Sequence, residues 1–203
     1  PVRWFSIPNV WRYERPQRGR LREHWQLNVD VFGIDNSSAD YEVIALVDAI
    51  MQSFGAKRDM YTIRLNSRKL INYIMADYLQ LDEAEATTII RLIDRKDKIE
   101  YAEFSALVSA SISPSQREEH ATDEKLLDLL SITSLDQLPS DIAQHQSVQT
   151  LRDLVQLLSS QGITNVQFDL SLMLGVMYYT DVVFERIDIN PVNFRSMFGG
   201  WRY

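Results

Sequence analysis

The sequence predicts an α/β protein of the α+β type, in which a mixed, mainly antiparallel sheet carries flanking helices and is interrupted by a long run of helices. Three observations lead there. Residues 7–31 alternate apolar and polar side chains on both sides of a loop bearing Pro16 and Gly19. From about residue 80 to 161 the apolar residues recur at helical spacing instead. After Gly162 the strand pattern returns, in Val166-Gln167-Phe168 and again in Val182-Val183-Phe184.

Taken in order, Ile7, Val10, Trp11 and Tyr13 lead into the loop and His24 to Val31 lead out, which is a long-looped antiparallel hairpin. On the outgoing strand a period of two puts His24, Gln26, Asn28 and Asp30 on a polar face, leaving Trp25, Leu27, Val29 and Val31 to build core. A helix follows, capped by Ser37 or Ser38, and its stripe Val43, Leu46, Val47, Ile50 and Phe54 is expected to cover the sheet before Gly55 ends it. Tyr61–Leu65 reads as a short buried strand, and Ser67 opens a helix through Leu70, Ile71, Ile74 and Met75. Further stripes run through Ile89, Phe104, Leu126 and Leu154, so the organisation expected is 1–79 and 162–203 as two parts of one sheet-bearing core, with 80–161 as a helical insertion. His120 and His145 fall in polar helical surroundings and are expected to be solvated.

Composition narrows the function. The chain has 203 residues, 45% of them hydrophobic and 24% charged, which suits one globular domain with a sizeable core. There is no cysteine, so a disulfide framework, a thiolate zinc site and a cysteine nucleophile are all excluded. No apolar run approaches the roughly 20 residues of a membrane helix and no signal-peptide pattern opens the chain, so a cytoplasmic protein without membrane partners is expected. The first residue is Pro1 rather than methionine, which reads as a fragment. The net charge of −7 is uneven: residues 1–22 hold six arginines and one acid, a balance of +5 that leaves −12 for the remainder. Arg3, Arg12, Arg15, Arg18, Arg20 and Arg22 include no lysine among them, and planar guanidinium groups suit bidentate contact with phosphate or carboxylate.

Three stretches carry a family resemblance. Trp11-Arg12-Tyr13-Glu14-Arg15-Pro16-Gln17-Arg18-Gly19-Arg20-Leu21-Arg22-Glu23-His24-Trp25-Gln26 resembles motif 2 of the class II aminoacyl-tRNA synthetases in its histidyl form. Leu174 to Glu185 is similar to the histidyl-specific segment Arg-Gly-Leu-Asp-Tyr-Tyr-Thr-Gly that ends in Val-Phe-Glu. Phe198-Gly199-Gly200-Trp201-Arg202-Tyr203 resembles the family's Gly-Gly-Gly-Arg-Tyr turn. The resemblance implies a class II synthetase core and, for an intact enzyme, histidine activation with ATP and magnesium, transfer to tRNA, and a homodimer. It further implies that Arg12 holds the reacting phosphate, Glu14 faces adenine, and Arg20 and Arg22 meet phosphates or the tRNA end. Gln26 and Asp30 would read histidine, with Tyr178 and Tyr179 closing the pocket.

The chain departs from the family where chemistry occurs. Leu174 stands for the catalytic arginine, Met177 for an aspartate, Asp181 for a glycine and Trp201 for the third glycine of the turn. A guanidinium aimed at developing charge is worth several kcal/mol, roughly 10²–10³ in rate, so aminoacylation is not expected and tRNA is not an expected partner. Motif 1 and motif 3 of the family match nothing between Pro1 and Tyr203, so the oligomeric state stays open. Three readings remain: an inactive synthetase fragment, a binding protein with a rebuilt pocket taking a small molecule or a metal ion, and a regulatory paralogue that senses histidine. The rebuilt pocket is preferred, since the four changes cluster. Its metal version assigns a divalent cation to Asp30, Asp181 and Glu185, whose hard oxygens suit such ions.

Overall fold

The computed structural model describes residues 1–13, 15–16, 20–173, 179–190 and 196–203. At the amino end the alternating pattern forms two short ladders rather than one continuous hairpin. Strand β1 (Val2–Ser6) and later β4 (Asn28–Phe32) pair antiparallel, and β2 (Asn9–Trp11) pairs antiparallel with β3 (Glu23–Trp25). The break falls at Pro8, which has no N–H to give a ladder; its carbonyl instead accepts from the Gln26 N–H at 3.0 Å. Trp25 is 71% exposed, and Leu27, Val29 and Val31 are only half-buried, against the expectation that this face builds core. They line an open cleft instead.

Helix α1 (Ser37–Ser53) is capped by Asn36, whose side chain accepts from the Ser38 N–H at 2.9 Å, so neither serine is the cap. Its buried residues are Ile44, Val47, Asp48 and Met51. The expected stripe is thus turned: Val43, Leu46, Ile50 and Phe54 border the cleft, with Phe54 83% exposed. Gly55 ends the helix with φ +82, a left-handed conformation that only glycine adopts without strain.

Strand β5 (Tyr61–Ser67) pairs parallel with β6 (Val166–Phe168) and antiparallel with β7 (Val182–Asp188), which in turn pairs antiparallel with β8 (Ser196–Trp201). The sheet order is β6-β5-β7-β8. Ser67 ends β5 and caps α2 (Arg68–Tyr73), its hydroxyl accepting from the Leu70 N–H, and α2 runs on into a π-helical turn at Ile74–Tyr78. The stretch between the two halves of the sheet is helical: α3 (Glu83–Ile93), α4 (Tyr101–Ala110), α5 (Pro114–His120), α6 (Thr122–Ser131), α7 (Ser140–Ala143) and α8 (Gln146–Ser160). Asp82 and Glu85 close a reciprocal capping box at the start of α3. The helices and the sheet share one apolar core, in which Ile44, Ile63, Leu65, Ile89, Phe104, Leu126, Leu154 and Phe184 form a single cluster. Among the described residues no helix is long and apolar enough to cross a membrane.

Beside this core lies a polar knot. The Tyr61 hydroxyl donates to Asp48 at 2.5 Å, Arg58 reaches the same carboxylate at 2.8 Å, and Gln52 donates to it at 2.6 Å. Burial would raise the Asp48 carboxyl, but hydrogen bonds from Arg58 and Tyr61 outweigh it and hold it below its ordinary 3.8. Burial, reinforced by Asp48, pushes the Tyr61 phenol up to about 12 from 10.0. The Arg186 guanidinium lies over the Tyr61 ring, 4.2 Å from its centroid.

Two outcomes follow. Leu154 is fully buried, so Leu154→Ala should lower unfolding free energy by about 2–5 kcal/mol in urea titration at unchanged m-value. Because the Tyr61 pKa is higher folded than unfolded, its neutral form contributes stability that is complete below pH 10.0 and is lost as pH rises through about 12. The urea midpoint of the parent protein should therefore fall across that window more steeply than that of Tyr61→Phe.

Candidate functional site

Both faces of the β3–β4 stretch line one open cleft of about 2210 Å³, bounded by the hairpin, the Val43 edge of α1 and strand β8, and the polar face supplies a row of side chains to it. Along this row Arg12 donates to the Gln26 side-chain oxygen Oε1 at 2.6 Å, and Gln26 Nε2 donates to Asn28 Oδ1 at 2.6 Å. Asn28 reaches Ser6 at 3.4 Å. The ladder itself continues past β2, with the Arg12 N–H donating to the Arg22 carbonyl at 2.7 Å. Each group in the row thus fixes its neighbour, which orients the Arg12 guanidinium before anything binds. Asp30 accepts from the Tyr203 hydroxyl at 3.1 Å, which joins the hairpin to the end of β8.

Strand β8 forms the opposite wall. Gly199 and Gly200 lie within this strand, with Gly200 opposite Phe184, so the stretch expected to be a turn is extended ladder. Its glycine requirement comes from packing: a Cβ on Gly200 would stand 2.3 Å from the Phe184 ring. The Trp201 ring packs on that of Tyr179, with centroids 4.7 Å apart. Arg202 forks onto Asp40 and onto Asp35 at 3.2 Å, tying β8 to the start of α1.

Behind that wall, Asp181 is 6% exposed and fully engaged. Ser67 donates to it at 2.9 Å, Lys69 Nζ lies 2.8 Å away, and the Asp181 carbonyl accepts from the Arg68 N–H at 2.8 Å. One carboxylate therefore clips the start of α2 to the start of β7. The buried Asn66 side chain donates to the carbonyls of Leu170 and Leu172, at 3.0 and 3.2 Å, and so ties the end of β5 to the segment that follows β6.

Of the residues singled out from sequence, Arg12, Arg20, Gln26, Asp30 and Trp201 line the one cleft. Arg22 is turned onto the Tyr13 ring, 5.7 Å from its centroid, and Tyr179 is buried behind Trp201. Glu14, Leu174, Met177 and Tyr178 lie outside the described residues. Asp30, Asp181 and Glu185 are not brought together: among the described residues no group of three His, Asp or Glu side chains could hold a metal ion. Asp30 is bound to Tyr203 and Asp181 to Ser67 and Lys69, while burial pushes the Glu185 carboxyl up, against the charged form a cation needs. His145 is not simply solvated, for it stacks on Tyr73 at 4.2 Å and its Nδ1 accepts from the Ser147 N–H. The site contacts of Lys69, Ser67 and Tyr203 escaped sequence reading; Ser67 left a signal as the cap expected before α2 and Tyr203 as the last residue of the turn motif, and Lys69 left none.

Comparison with known proteins adds the following. The family model described as histidyl-tRNA synthetase matches residues 1–190. A histidine–tRNA ligase of Leptospira biflexa is 37% identical over 204 residues, covering 100% of this chain and 46% of the relative. One from Picrophilus torridus is 36% identical over 209 residues, with 100% and 47% covered. The chain thus spans about half the length of these relatives. Among solved structures, an ATP phosphoribosyltransferase regulatory subunit/histidyl-tRNA synthetase from Bacillus halodurans superposes with TM-score 0.79 at 25% identity, covering 100% of this chain and 51% of that one. The ATP phosphoribosyl transferase (HisG:HisZ) complex from Thermotoga maritima matches in fold, with TM-score 0.70 at 14% identity over 98% of this chain and 67% of that one.

Removing the clip has a measurable cost. Asp181→Ala leaves the buried Ser67 hydroxyl with one partner fewer and Lys69 without its carboxylate, and should lower unfolding free energy by about 1–3 kcal/mol in urea titration.

Proposed function

Because the chain belongs to the histidyl-tRNA synthetase family, and its class II core is that family's, we propose that its cleft binds small ligands of the family's kind, histidine first, without joining them to a nucleotide. The observation that carries this reading is the row of Arg12, Gln26, Asn28 and Asp30, intact and pre-oriented along one wall of the cleft. Polar groups already fixed by their neighbours lose little freedom when a ligand docks. A cleft of about 2210 Å³ with Arg12 and Arg20 on its lining also fits an anionic nucleotide, so ATP with magnesium is the second ligand class. Magnesium would shield the phosphates; Arg12 would orient them.

What opposes chemistry is the replacement of two residues: Leu174 offers no cation where the family has arginine, and Trp201, in the other wall, carries an indole where the family has glycine. Its ring, seated on Tyr179, occupies space at the cleft edge. The set of four changes is a remodelled pocket under this reading, and tRNA is not among its partners. Homodimerisation, the family's habit, is the assembly expected of a longer chain.

A second reading has its own support. The Bacillus halodurans match bears both a regulatory and a synthetase name, and a regulator needs a histidine pocket but no activation step. Both readings share the test. Histidine should raise the melting temperature of the protein, while histidine-dependent ATP–pyrophosphate exchange stays at the level of a protein-free blank. Exchange well above that blank would sink the claim that activation is lost, and absence of any histidine shift would sink the binding claim. Gln26→Ala should abolish the histidine shift, since it removes the centre of the polar row.

A further inference from the structure

A second cavity, of about 530 Å³, shares only Lys69 with the cleft and lies between one face of α2 with its π-helical turn and the first turn of α8. Across it, hydrogen-bond donors face a carboxylate that is unpaired among the described residues. On one side is the positive end of α8, a helix of 15 residues. There Ser147 is 4% exposed, and its hydroxyl forms no hydrogen bond within the described protein although the residue borders the cavity. The hydroxyl thus faces the cavity with its proton available to a ligand oxygen. Its own N–H is already taken by His145 Nδ1 at 3.2 Å. Close by, Lys69 Nζ has three protons and spends one on Asp181, at 2.8 Å; that carboxylate also borders the cavity, but it is already matched by Lys69 and the Ser67 hydroxyl, so two ammonium protons remain for a ligand. On the other wall Asp77 projects from the π-helical turn, an exposed carboxylate with no hydrogen bond or ion pair among the described residues. The stacked rings of Tyr73 and His145, 4.2 Å apart and 18° from parallel, form an apolar floor between them.

We propose that this cavity is a second binding site, for a free α-amino acid. The carboxylate sits against the Ser147 hydroxyl and Lys69 at the start of α8, the ammonium faces Asp77, and the side chain rests on the Tyr73–His145 rings. A simple anion would meet the Asp77 carboxylate, and a simple cation would meet the helix start and Lys69. A zwitterion satisfies both walls at once. The site is separate from the histidine-binding reading of the cleft and does not depend on it.

The test is an NMR titration of the ¹⁵N-labelled chain with each standard L-amino acid at millimolar concentration. At least one should shift the amides of Ser147, His145 and Asp77, and its Kd should rise about tenfold or more in Ser147→Ala and in Asp77→Asn, tenfold being about 1.4 kcal/mol. Asp77 is exposed, so its variant keeps the fold, which far-UV circular dichroism checks. Shifts confined to Gln26, Asp30 and Trp201 would place the ligand in the cleft and overturn the proposal, as would no shift at all. Equal shifts from acetate alone would overturn the zwitterion assignment.

Discussion

Strand β5 is the constraint on which the rest depends. It is hydrogen-bonded along both edges, parallel to β6 and antiparallel to β7, and Tyr61, Ile63 and Leu65 are each no more than 1% exposed. A strand so placed can afford no unpaired backbone group and no polar side chain without a partner. The two polar residues that end it are accordingly spent on structure: Asn66 on the carbonyls of Leu170 and Leu172, and Ser67 on Asp181 and the first turn of α2. The edge of the cleft is thus positioned from inside the core, by a strand that never touches it.

The same economy explains why carboxylates here are poor metal ligands. In a chain of net charge −7, acids near the site are matched to specific donors: Asp181 to Lys69, Asp40 to Arg202, Asp30 to Tyr203. A divalent ion would have to displace those donors and gather side chains that start from different elements. Arginine is used differently on the two sides of the molecule. Arg12 is oriented toward open space by a single amide, whereas Arg186 is 2% exposed and lies over the Tyr61 ring. The first is available to a ligand and the second is a strut.

Much of this was legible in the sequence, and the gaps have physical causes. Period-two alternation identified the polar row from His24 to Asp30, because that row is local to one short stretch of chain, even though the stretch divides between β3 and β4. The helical stripes from Ile89 to Leu154 were legible because burial on one face repeats every turn. Periodicity does not say which neighbour a stripe meets, and so the Val43–Leu46–Ile50 edge of α1 was assigned to the sheet although it borders the cleft. The role of Gly200 was hidden because glycine in a turn and glycine under an aromatic ring read alike; only the Phe184 ring distinguishes them. Lys69 met Asp181 across 112 positions, a separation no local pattern can report.

The hairpin invites one last consequence. Among the described residues none of its side chains joins the buried apolar cluster, and its links to the body include Arg3 to Glu42, Asp30 to Tyr203 and the edge-on rings of Phe32 and Tyr203. The one ion pair among them, the exposed Arg3–Glu42 contact, answers to ionic strength: the screening length shrinks from about 10 Å at 0.1 M salt to about 3 Å at 1 M. The β1 corner that Arg3 holds should therefore loosen in concentrated electrolyte, while the Tyr203 end of the cleft and the sheet behind it, held by buried hydrocarbon and backbone ladders, keep their shape.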